Sequence, residues 1–411
     1  MTSHPIPPVR SELAAQGGKP VRAVPLPPWP YYAQDEIEAV RAVLASGKVN
    51  YWTGLECAEF EKEFAALVGC RYAVALANGS VALELALLAL GIGPGDDVVV
   101  TSRSFIASAS CAVLRGARPV FADVDPASQN LTAETVRRVL TPATRAIIAV
   151  HLAGWPCDMG PLLELARSRD IFVIEDCAQS HGATWHGRMT GSIGDVGAFS
   201  FCQDKIITTG GEGGMLLTDD RSVWERAWSY KDHGKSYDAV LNRQRQPESR
   251  WVHESFGTNW RMTEMQAAIG RRQLTKLPHW LELRRRYARL LDAALAAVPG
   301  LTVHVPPPGF GHAYYKYCAF IEPERLRSGW NLHRVVEAIN AEGIPCTAGT
   351  AGEIYLEKTF TDHGLAPAAR LTNAKRLGET GILFMVHPTL TERDVRDTAD
   401  AIVKVMKAAA A

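Results

Sequence analysis

The sequence of 411 residues lacks three features that mark particular classes of protein. Its eight cysteines form no Cys-x-x-Cys pair, so neither a zinc ribbon nor a disulfide framework is indicated. Lys and Arg total 44, as do Asp and Glu, so the chain has no net charge to attract nucleic acid or an anionic membrane. Its longest apolar segment, around residues 82–90, contains Glu84 and is too short to span a bilayer. We therefore expect no metal site, no nucleic-acid partner and no membrane partner.

The N-terminus also lacks a pattern that would direct secretion. Met1 to Pro5 contain no basic region, and no apolar stretch follows them, so we expect a cytoplasmic protein. Hydrophobic residues make up 47% of the chain and charged residues 21%, as is usual for a soluble globular protein. The length allows a large core and favours two domains.

From residue 72, short runs rich in Val and Ile alternate with longer amphipathic segments. We predict strands at 72–76, 97–101, 119–124, 146–151, 171–174, 196–201 and 214–218. We predict helices between them at 81–90, 107–115, 133–140 and 159–167. Strands that alternate with helices and are apolar on both faces indicate an α/β fold with a mostly parallel sheet covered on each side.

The segments before and after this sheet are predicted to form an N-terminal arm, further helices and a second domain. Residues 1–33 are rich in Pro and form a predicted extended arm, and two short helices are predicted at 35–46 and 56–67. A long helix is predicted over 263–297, and the polar stretch 235–251 is predicted to be a loop insertion. We expect a large domain over 34–275 and a smaller C-terminal α/β domain over 276–411.

Ligands in open α/β sheets bind beyond the carboxyl ends of the strands, and two such ends are suited to an anion and a cation. Asn78, Gly79, Ser80 and Val81 follow the first strand and open a helix, whose free N–H groups and dipole favour phosphate. A simple Asn or Ser helix cap explains the same residues. Consecutive carboxylates, at 175 and 176, follow the fifth strand and require a positive partner such as a metal, a Lys or Arg, or a protonated ring nitrogen.

The residues around this second strand end make a metal the least suitable of those partners. Glu175 and Asp176 are adjacent in a strand, so their side chains point to opposite faces and form a poor cage with His181. His181 itself is equally explained as a hydrogen-bonded structural histidine.

Two further strand ends carry a lysine and an aromatic residue. Lys205 lies between an apolar strand and the Gly-rich segment 210–214, where partial burial would lower an ammonium pKa and make the amine a nucleophile. A structural role for Lys205 is about as good an explanation. Ser104 and Phe105 follow the second strand, and Phe105 is either a ligand-stacking ring or a core aromatic.

Together these four strand ends contain the parts needed to bind pyridoxal phosphate. A phosphate cradle, a carboxylate for the ring nitrogen, a lysine for the aldehyde and an aromatic for the ring face are all present. A lysine in this role carries the cofactor as a Schiff base and then moves protons during the reaction.

The chain resembles the DegT/DnrJ/EryC1/StrS family of sugar aminotransferases, which has the aspartate-aminotransferase-like fold, fold type I of the pyridoxal-phosphate enzymes. The resemblance extends from about residue 25 to 405, and the spacing of Asp176, Ser200 and Lys205 is that of the family. Its landmarks are Gly54 to Phe60 with Glu61, Asn78 to Leu83, Ser104-Phe105, Val150 to Leu152, Glu175 to Gly182, Phe199 to Phe201, Lys205, Gly211 to Gly214 and Asn259 to Met262.

The resemblance implies a role for each matching residue. Lys205 would be the Schiff-base lysine, Asp176 would pair with the pyridinium nitrogen, Gln179 would hydrogen-bond the ring 3-oxygen, and Phe105 would stack on the ring. The phosphate would be held by Gly79, Ser80, Val81 and Ser200, and by Asn259 of the other subunit of a homodimer with shared active sites. Asn259 has a rival role as the cap of the helix predicted to start at residue 263.

The implied activity is amino transfer in amino sugar biosynthesis. Glutamate or glutamine would give its amino group to the cofactor, which becomes pyridoxamine phosphate and then aminates a ketone of a nucleotide-linked sugar or of a cyclitol such as an inosose. Lys205 favours this reaction, because the dehydratases of the family carry His there. A regulatory protein that binds the cofactor without turnover, or another reaction such as sugar dehydration, racemisation or aldol cleavage, is the alternative.

The chain departs from the commoner family pattern near Lys205 and in its substrate-facing loops. Ser80 stands where Thr is usual, and Cys202, Gln203 and Asp204 precede Lys205 where Pro and Thr are frequent. Candidate substrate contacts are chosen for family position or for aromatic and polar character near predicted loops, and each is also explained as a packing or loop residue. They are Tyr51, Trp52, Trp155, His181, Lys231, His233, Tyr314 and His387.

Overall fold

A computed structural model describes residues 12–241, 252–349 and 352–411 of the chain. The helices are α1 (Gln34–Ser46), α2 (Glu56–Val68), α3 (Gly79–Ala89), α4 (Ala107–Leu114), α5 (Ala133–Arg137), α6 (Met159–Arg167), α7 (Arg221–Lys231), α8 (Tyr237–Leu241), α9 (Glu264–Leu295), α10 (Leu332–Ala341), α11 (Lys358–Asp362), α12 (Thr372–Thr380) and α13 (Glu392–Ala409). Within the described residues, none of them combines the length and the apolar character needed to cross a membrane.

The strands form one large sheet and two smaller ones. They are β1 (Tyr72–Leu76), β2 (Asp97–Thr101), β3 (Arg118–Ala122), β4 (Thr144–Val150), β5 (Phe172–Asp176), β6 (Thr184–Trp185), β7 (Arg188–Met189), β8 (Val196–Ser200), β9 (Gly214–Thr218), β10 (Leu301–Thr302), β11 (Phe310–Gly311), β12 (Tyr317–Ile321), β13 (Cys346–Ala348) and β14 (Gly381–Phe384). The large sheet has the order β1-β9-β8-β5-β4-β2-β3. Six of these strands run in the same direction, and β9 runs in the opposite direction. The predicted α/β fold with a mostly parallel sheet is confirmed.

Both faces of this sheet are buried, as the continuous apolar runs predict. In β2, Val98 and Val100 pack into a core with α3 and α4, whereas Val99 between them packs into a second core with α6. All three valines are fully buried. Since successive side chains of a strand point to opposite faces, a strand covered on both sides is apolar at every position.

The long helix α9 contributes to two cores. Thr263 caps its N-terminus by accepting the Gln266 N–H, and the Gln266 side chain accepts the Thr263 N–H in return. Leu277 packs against the large sheet, whereas Leu291 packs against the antiparallel sheet β10-β12-β14-β13. The division into an arm at 1–33 and domains at 34–275 and 276–411 stays a prediction, with its boundary inside α9.

Several predicted bounds differ from those in the structure. The fifth strand continues to Asp176 because backbone pairing with Val150 and Ala198 extends it through two carboxylates that are poor strand formers. The helix predicted at 133–140 ends at Arg137, and the chain then turns. The predicted loop 235–251 contains the short helix α8, while residues 242–251 lie outside the described part of the chain.

Candidate active site

The carboxyl ends of β1, β5 and β8 lie at one edge of the large sheet, because these three strands run in the same direction. Asn78 and Gly79 follow β1, and Ser200 ends β8. A Cβ atom at Gly79 would lie 2.5 Å from the Cβ of Ser200. Only glycine therefore permits the two segments to approach this closely.

The start of α3 provides the predicted phosphate cradle. Asn78 caps the helix, and its Oδ1 accepts the Val81 N–H at 3.0 Å. Ser80 is exposed in the first turn, and the Ser200 Oγ accepts the Cys202 N–H at 3.3 Å. The cap and the anion site are therefore compatible, because the remaining N–H groups and the helix dipole still favour an anion.

Asp176 is a buried carboxylate whose hydrogen-bond partners are neutral. Its Oδ2 accepts the Ser108 hydroxyl at 2.7 Å, and its Oδ1 accepts the Ala178 N–H at 3.1 Å. The Ser108 hydroxyl lies 2.7 Å from that of Ser104. Burial raises the pKa of Asp176 above its usual value, despite the opposing effects of Ser108 and the Ala178 N–H. A cationic ring nitrogen would stabilise the ionised form of this carboxylate.

The Glu175 side chain points to the face of the sheet opposite to that of Asp176, where it is part of a buried hydrogen-bond network. It accepts His151 Nε2 at 2.9 Å and the N–H groups of Gly191, Ile193 and Gly194. Burial alone would raise the pKa of Glu175, but His151 and these N–H groups outweigh it and the pKa is lowered. His151, Glu175 and Cys177 have ligand atoms within 4.8 Å of one another. However, His151 Nδ1 already accepts the Cys157 N–H, so hydrogen bonds explain this group without a metal.

Lys205 lies beyond β8 with its amine facing two side chains. Its Nζ is 3.3 Å from the Tyr315 hydroxyl and 3.5 Å from Asp204 Oδ1. The side chain is 17% exposed, and its charge favours the ionised form of Asp176. The Trp29 indole N–H donates to the Lys205 carbonyl at 3.0 Å, which ties the N-terminal arm to this loop.

Gln179 and Phe105 are linked through hydrogen bonds to the residues that contact Lys205 and Asp176. Gln179 Oε1 accepts the Ala153 N–H at 2.7 Å, so its amide nitrogen points away from that turn and remains a donor. Phe105 is 69% exposed next to the start of α4, which is unusual for a large apolar ring. Its carbonyl accepts the N–H of Ser108, the residue that holds Asp176.

Comparison with known proteins decides the family. The model of the DegT/DnrJ/EryC1/StrS aminotransferase family matches residues 30–403. The chain belongs to this family. It is a pyridoxal-phosphate-dependent aminotransferase of fold type I, and the predicted family, enzyme class and cofactor are confirmed.

Relatives of this aminotransferase are similar along most of their length. GDP-perosamine synthase of Caulobacter vibrioides is 37% identical over 357 residues, which cover 85% of this chain and 89% of the relative. L-Glutamine:2-deoxy-scyllo-inosose aminotransferase of Streptoalloteichus tenebrarius is 35% identical, covering 96% and 97%. The crystal structure of an aminotransferase from Psychrobacter cryohalolentis is 52% identical with a TM-score of 0.90, covering 92% of this chain and 98% of that one.

The residues at the sheet edge fit the cofactor of this family. Among the described residues, the hydrogen-bond partners of the buried carboxylate of Asp176 are neutral, so a protonated ring nitrogen could be its cationic partner. The α3 N-terminus with Ser80 and Ser200 suits a phosphate, and Lys205, beyond β8, supplies a primary amine. The roles of the individual residues stay predictions.

Three of the predicted substrate contacts form a separate cluster between α2 and α7. The Lys231 Nζ lies 3.0 Å from Glu61 Oε1 and 4.0 Å from the centroid of the Tyr51 ring, which in turn packs edge-on against Trp52. Burial alone would lower the pKa of Lys231, but the effects of Glu61 and Tyr51 are larger, so the pKa is raised. Because its ammonium is fully buried and paired, the structure favours an internal role for Lys231.

His233 and Asn259 lie on two segments that run side by side. The His233 N–H donates to the Thr258 carbonyl, and both predicted side chains are exposed. Asn259 Oδ1 accepts the Arg261 N–H at 3.4 Å. Since Thr263 caps α9, the rival role of Asn259 as the helix cap is not observed.

The other candidates are enclosed to different degrees. His181 packs against Phe199 and Phe201, and neither of its ring nitrogens has a hydrogen-bond partner in the described part of the chain. Burial lowers the pKa of His181 to about 3. Trp155 is buried, with its ring tilted against His312.

Tyr314 and His387 also pack against other rings. Tyr314 stacks on His312 with ring centroids 3.9 Å apart. His387 stacks on Trp29 and hydrogen-bonds Thr389 at 2.8 Å. Burial lowers the pKa of His387 to about 3. The contacts of these two residues are with protein side chains, and their contact with substrate stays a prediction.

Sequence reasoning missed the residues that support Lys205 and Asp176. Tyr315 contacts Lys205 although the two are 110 positions apart, and no local pattern indicates that contact. Ser108 follows Phe105 by one helical turn, which is a signal that could have placed its hydroxyl near the site. Asp204 had been noted only as a departure from the family pattern.

Proposed function

We propose that this aminotransferase moves an amino group from glutamate or glutamine to a keto group of a nucleotide-linked sugar or of a cyclitol such as an inosose. Relatives at 35–37% identity carry names for both classes of acceptor. The observation that carries the proposal is the amine of Lys205 beyond the end of β8, with the buried carboxylate of Asp176 at the end of the adjacent strand β5.

Lys205 and Asp176 have different tasks in this reaction. When bound, the cofactor supplies an electron-withdrawing ring and a carbon that accepts and releases the amino group. Asp176 keeps the ring nitrogen protonated, and Ser108 holds Asp176 in place through its 2.7 Å hydrogen bond. Lys205 Nζ would take the proton from the α-carbon of the donor as a general base and deliver it, as a general acid, to a different atom, so that the donor is not regenerated.

The remaining predicted residues orient the cofactor. Ser80, Ser200 and the N-terminus of α3 at Gly79 would hold the phosphate, whereas the Val81 N–H, which was also predicted to hold it, already donates to Asn78 Oδ1. Gln179 donates to the ring oxygen from an amide that Ala153 has already oriented. Phe105 covers one ring face and limits access of water there.

The acceptor is identified by a substrate panel. Purified holoenzyme is incubated with glutamate or glutamine and with each of two acceptor classes, nucleotide-linked 4-keto sugars and inososes, and the amine product is measured by mass spectrometry. We expect amination of one class with at least one donor. A different outcome is that no donor–acceptor pair gives the amine and neither donor changes the cofactor spectrum. This would support a regulatory protein without turnover. Release of water from the sugar without amination would support dehydration.

We also propose a homodimer in which Asn259 reaches the phosphate in the partner subunit. Large apolar side chains are exposed, among them Phe105 at 69% and Leu55 at 76%, and exposed apolar surfaces are typical of protein interfaces. Asn259 is itself exposed.

A hybrid dimer tests this arrangement. Lys205→Ala and Asn259→Ala subunits with different tags are co-expressed and the mixed dimer is purified. A site shared between subunits leaves one active centre with both wild-type residues, so we expect about half of the wild-type kcat at unchanged cofactor affinity. A mixed dimer with only the weakened cofactor affinity of Asn259→Ala would show that Asn259 acts within its own subunit, and a monomer would exclude a shared site.

A further inference from the structure

Lys205, Tyr315 and Asp204 form a closed triangle of polar atoms. The Tyr315 hydroxyl donates to Asp204 Oδ2 and lies 3.3 Å from Lys205 Nζ, while Asp204 Oδ1 lies 3.5 Å from the same Nζ. Two oxygen atoms on different segments therefore face the lysine amine. An amine on a long, flexible side chain loses orientational freedom when two fixed acceptors hold it.

The backbone of Tyr315 is held from two sides. Its N–H donates to the Ala153 carbonyl at 2.9 Å, in the same turn whose N–H orients Gln179. Its carbonyl accepts Arg284 Nη1 at 3.3 Å, and the same nitrogen donates to the Tyr314 carbonyl at 3.0 Å. Arg284 belongs to α9 and is buried. The position of the Tyr315 ring is thus fixed by the turn after β4 and by the long helix.

Burial and neighbouring charges determine the protonation states of Tyr315 and Asp204. Burial raises the pKa of Tyr315, and Asp204 raises it further, so the phenol stays neutral and donates. Burial alone would raise the pKa of Asp204, but Lys205, the Tyr315 hydroxyl and Lys316 outweigh it, so Asp204 is a carboxylate. Other charged groups that act on this region are Arg284, which acts on Tyr315 and Lys316, and Asp176, which interacts with Lys205.

We propose that Tyr315 and Asp204 are positioning residues for the Lys205 nitrogen. Both hold the amine for proton transfer when it is released from the cofactor, and Asp204 favours a positive charge on this nitrogen whether it is bonded to the cofactor or released. This proposal rests on the proposed amino transfer. Lys205 Nζ would accept the proton from the α-carbon of the amino donor as a general base and later release it as a general acid, and the bound cofactor would supply the electron sink for the bonding pair. Asp204 balances the positive charge that Lys205 carries between these two transfers.

The same chain contains a matched control pair. The Tyr317 hydroxyl donates to Asp292 Oδ1 at 2.8 Å, so it repeats the tyrosine–carboxylate hydrogen bond two positions beyond Tyr315. Tyr317 belongs to the core around the antiparallel sheet. Tyr317→Phe and Asp292→Asn therefore remove the same type of bond without touching Lys205.

The first test is a pH titration of the visible absorbance of the lysine-bound cofactor in the holoenzyme. A carboxylate close to a protonated nitrogen raises the pKa of that nitrogen, so Asp204→Asn should lower the titration midpoint by about 1 pH unit. Tyr317→Phe and Asp292→Asn should leave the midpoint unchanged. An Asp204→Asn midpoint equal to that of the wild type overturns the electrostatic part of the proposal.

The second test is the single-turnover reaction of the holoenzyme with glutamate or glutamine, each with protium or deuterium at the α-carbon. Tyr315→Phe should slow the conversion by about 10-fold or more with little change in donor KM, and it should enlarge the deuterium isotope effect, since misplacing the base makes proton transfer slower. Asp204→Glu should recover part of the rate that Asp204→Asn loses. The double variant Tyr315→Phe with Asp204→Asn should be little slower than the slower single variant, because the two act as one unit.

The outcomes of these tests distinguish a failure of the positioning role of Tyr315 and Asp204 from a failure of the proposed amino transfer. Rates and isotope effects of Tyr315→Phe that match those of Tyr317→Phe overturn the positioning role, and a variant that loses thermal stability without a change in isotope effect does the same. If wild-type enzyme converts neither donor, amino transfer itself fails, and the absorbance titration still reports whether Asp204 acts on the lysine.

Discussion

Lys205→Ala is expected to lower kcat for amino transfer by about 10³-fold or more, because it removes the amine that we propose accepts and delivers the transferred proton. The same change removes the covalent attachment of the cofactor, so the visible absorbance band of the lysine-bound form should be absent. The measurement is kcat with saturating donor, acceptor and added cofactor, together with the absorbance spectrum of the purified variant. The fold should be little affected, since the polar partners of Nζ among the described residues are Tyr315 and Asp204.

Two controls distinguish lost chemistry from lost structure. Small primary amines added to Lys205→Ala should restore part of the rate, because they can enter the space left by the side chain and act as the base. Lys404→Ala removes a lysine that pairs with Glu342 far from the sheet edge, and it should retain wild-type kcat. A Lys205→Ala enzyme with more than about a tenth of wild-type kcat would contradict the assigned role.

Asp176→Asn is expected to lower kcat by about 10²-fold or more, because a neutral amide cannot keep the ring nitrogen protonated. Asn can preserve the hydrogen bond with Ser108 by offering its oxygen, so the thermal midpoint should change little. The change also removes a buried carboxylate whose pKa burial raises, which lowers a desolvation cost. Steady-state kinetics and thermal unfolding of the same preparation check both parts.

The neighbouring carboxylate provides the matched comparison. Glu175→Gln replaces a group that accepts His151 and three backbone N–H groups, so it should destabilise the protein by about 2 kcal/mol or more. Its kcat per folded molecule should stay within a few-fold of the wild type. The opposite pattern, with Asp176→Asn unstable but active and Glu175→Gln stable but inactive, would reverse the assignment of the two residues.

Much of the fold could be predicted because local sequence determines it. The predicted bounds of α6, β1, β2 and β9 agree with the structure, since each is an uninterrupted periodic or apolar segment flanked by turn residues. The bound of β5 was wrong at Asp176, where neighbouring strands impose extended pairing on residues with little strand preference. The two-residue strands β6, β7, β10 and β11 were not predicted individually, because two residues carry almost no periodicity.

The site could be predicted where one segment carries a role and could not be predicted where distant segments meet. Asp176 and Lys205 lie in recognisable motifs at strand ends, whereas the contact of Tyr315 with Lys205 joins residues 110 positions apart. A distant contact also explains the position of Lys231. It was predicted as a substrate contact because it lies near a predicted loop, but in the structure it pairs inside the protein with Glu61, 170 positions away.

The central claim is that Lys205 carries the cofactor and is released from it by the amino donor. Reduction of the holoenzyme with borohydride, followed by peptide mass spectrometry, tests this most directly. The prediction is a cofactor adduct on Lys205 before a donor is added, and loss of that adduct when the enzyme is first incubated with glutamate or glutamine. An adduct on another lysine such as Lys316 or Lys231, or no adduct at all, would contradict it.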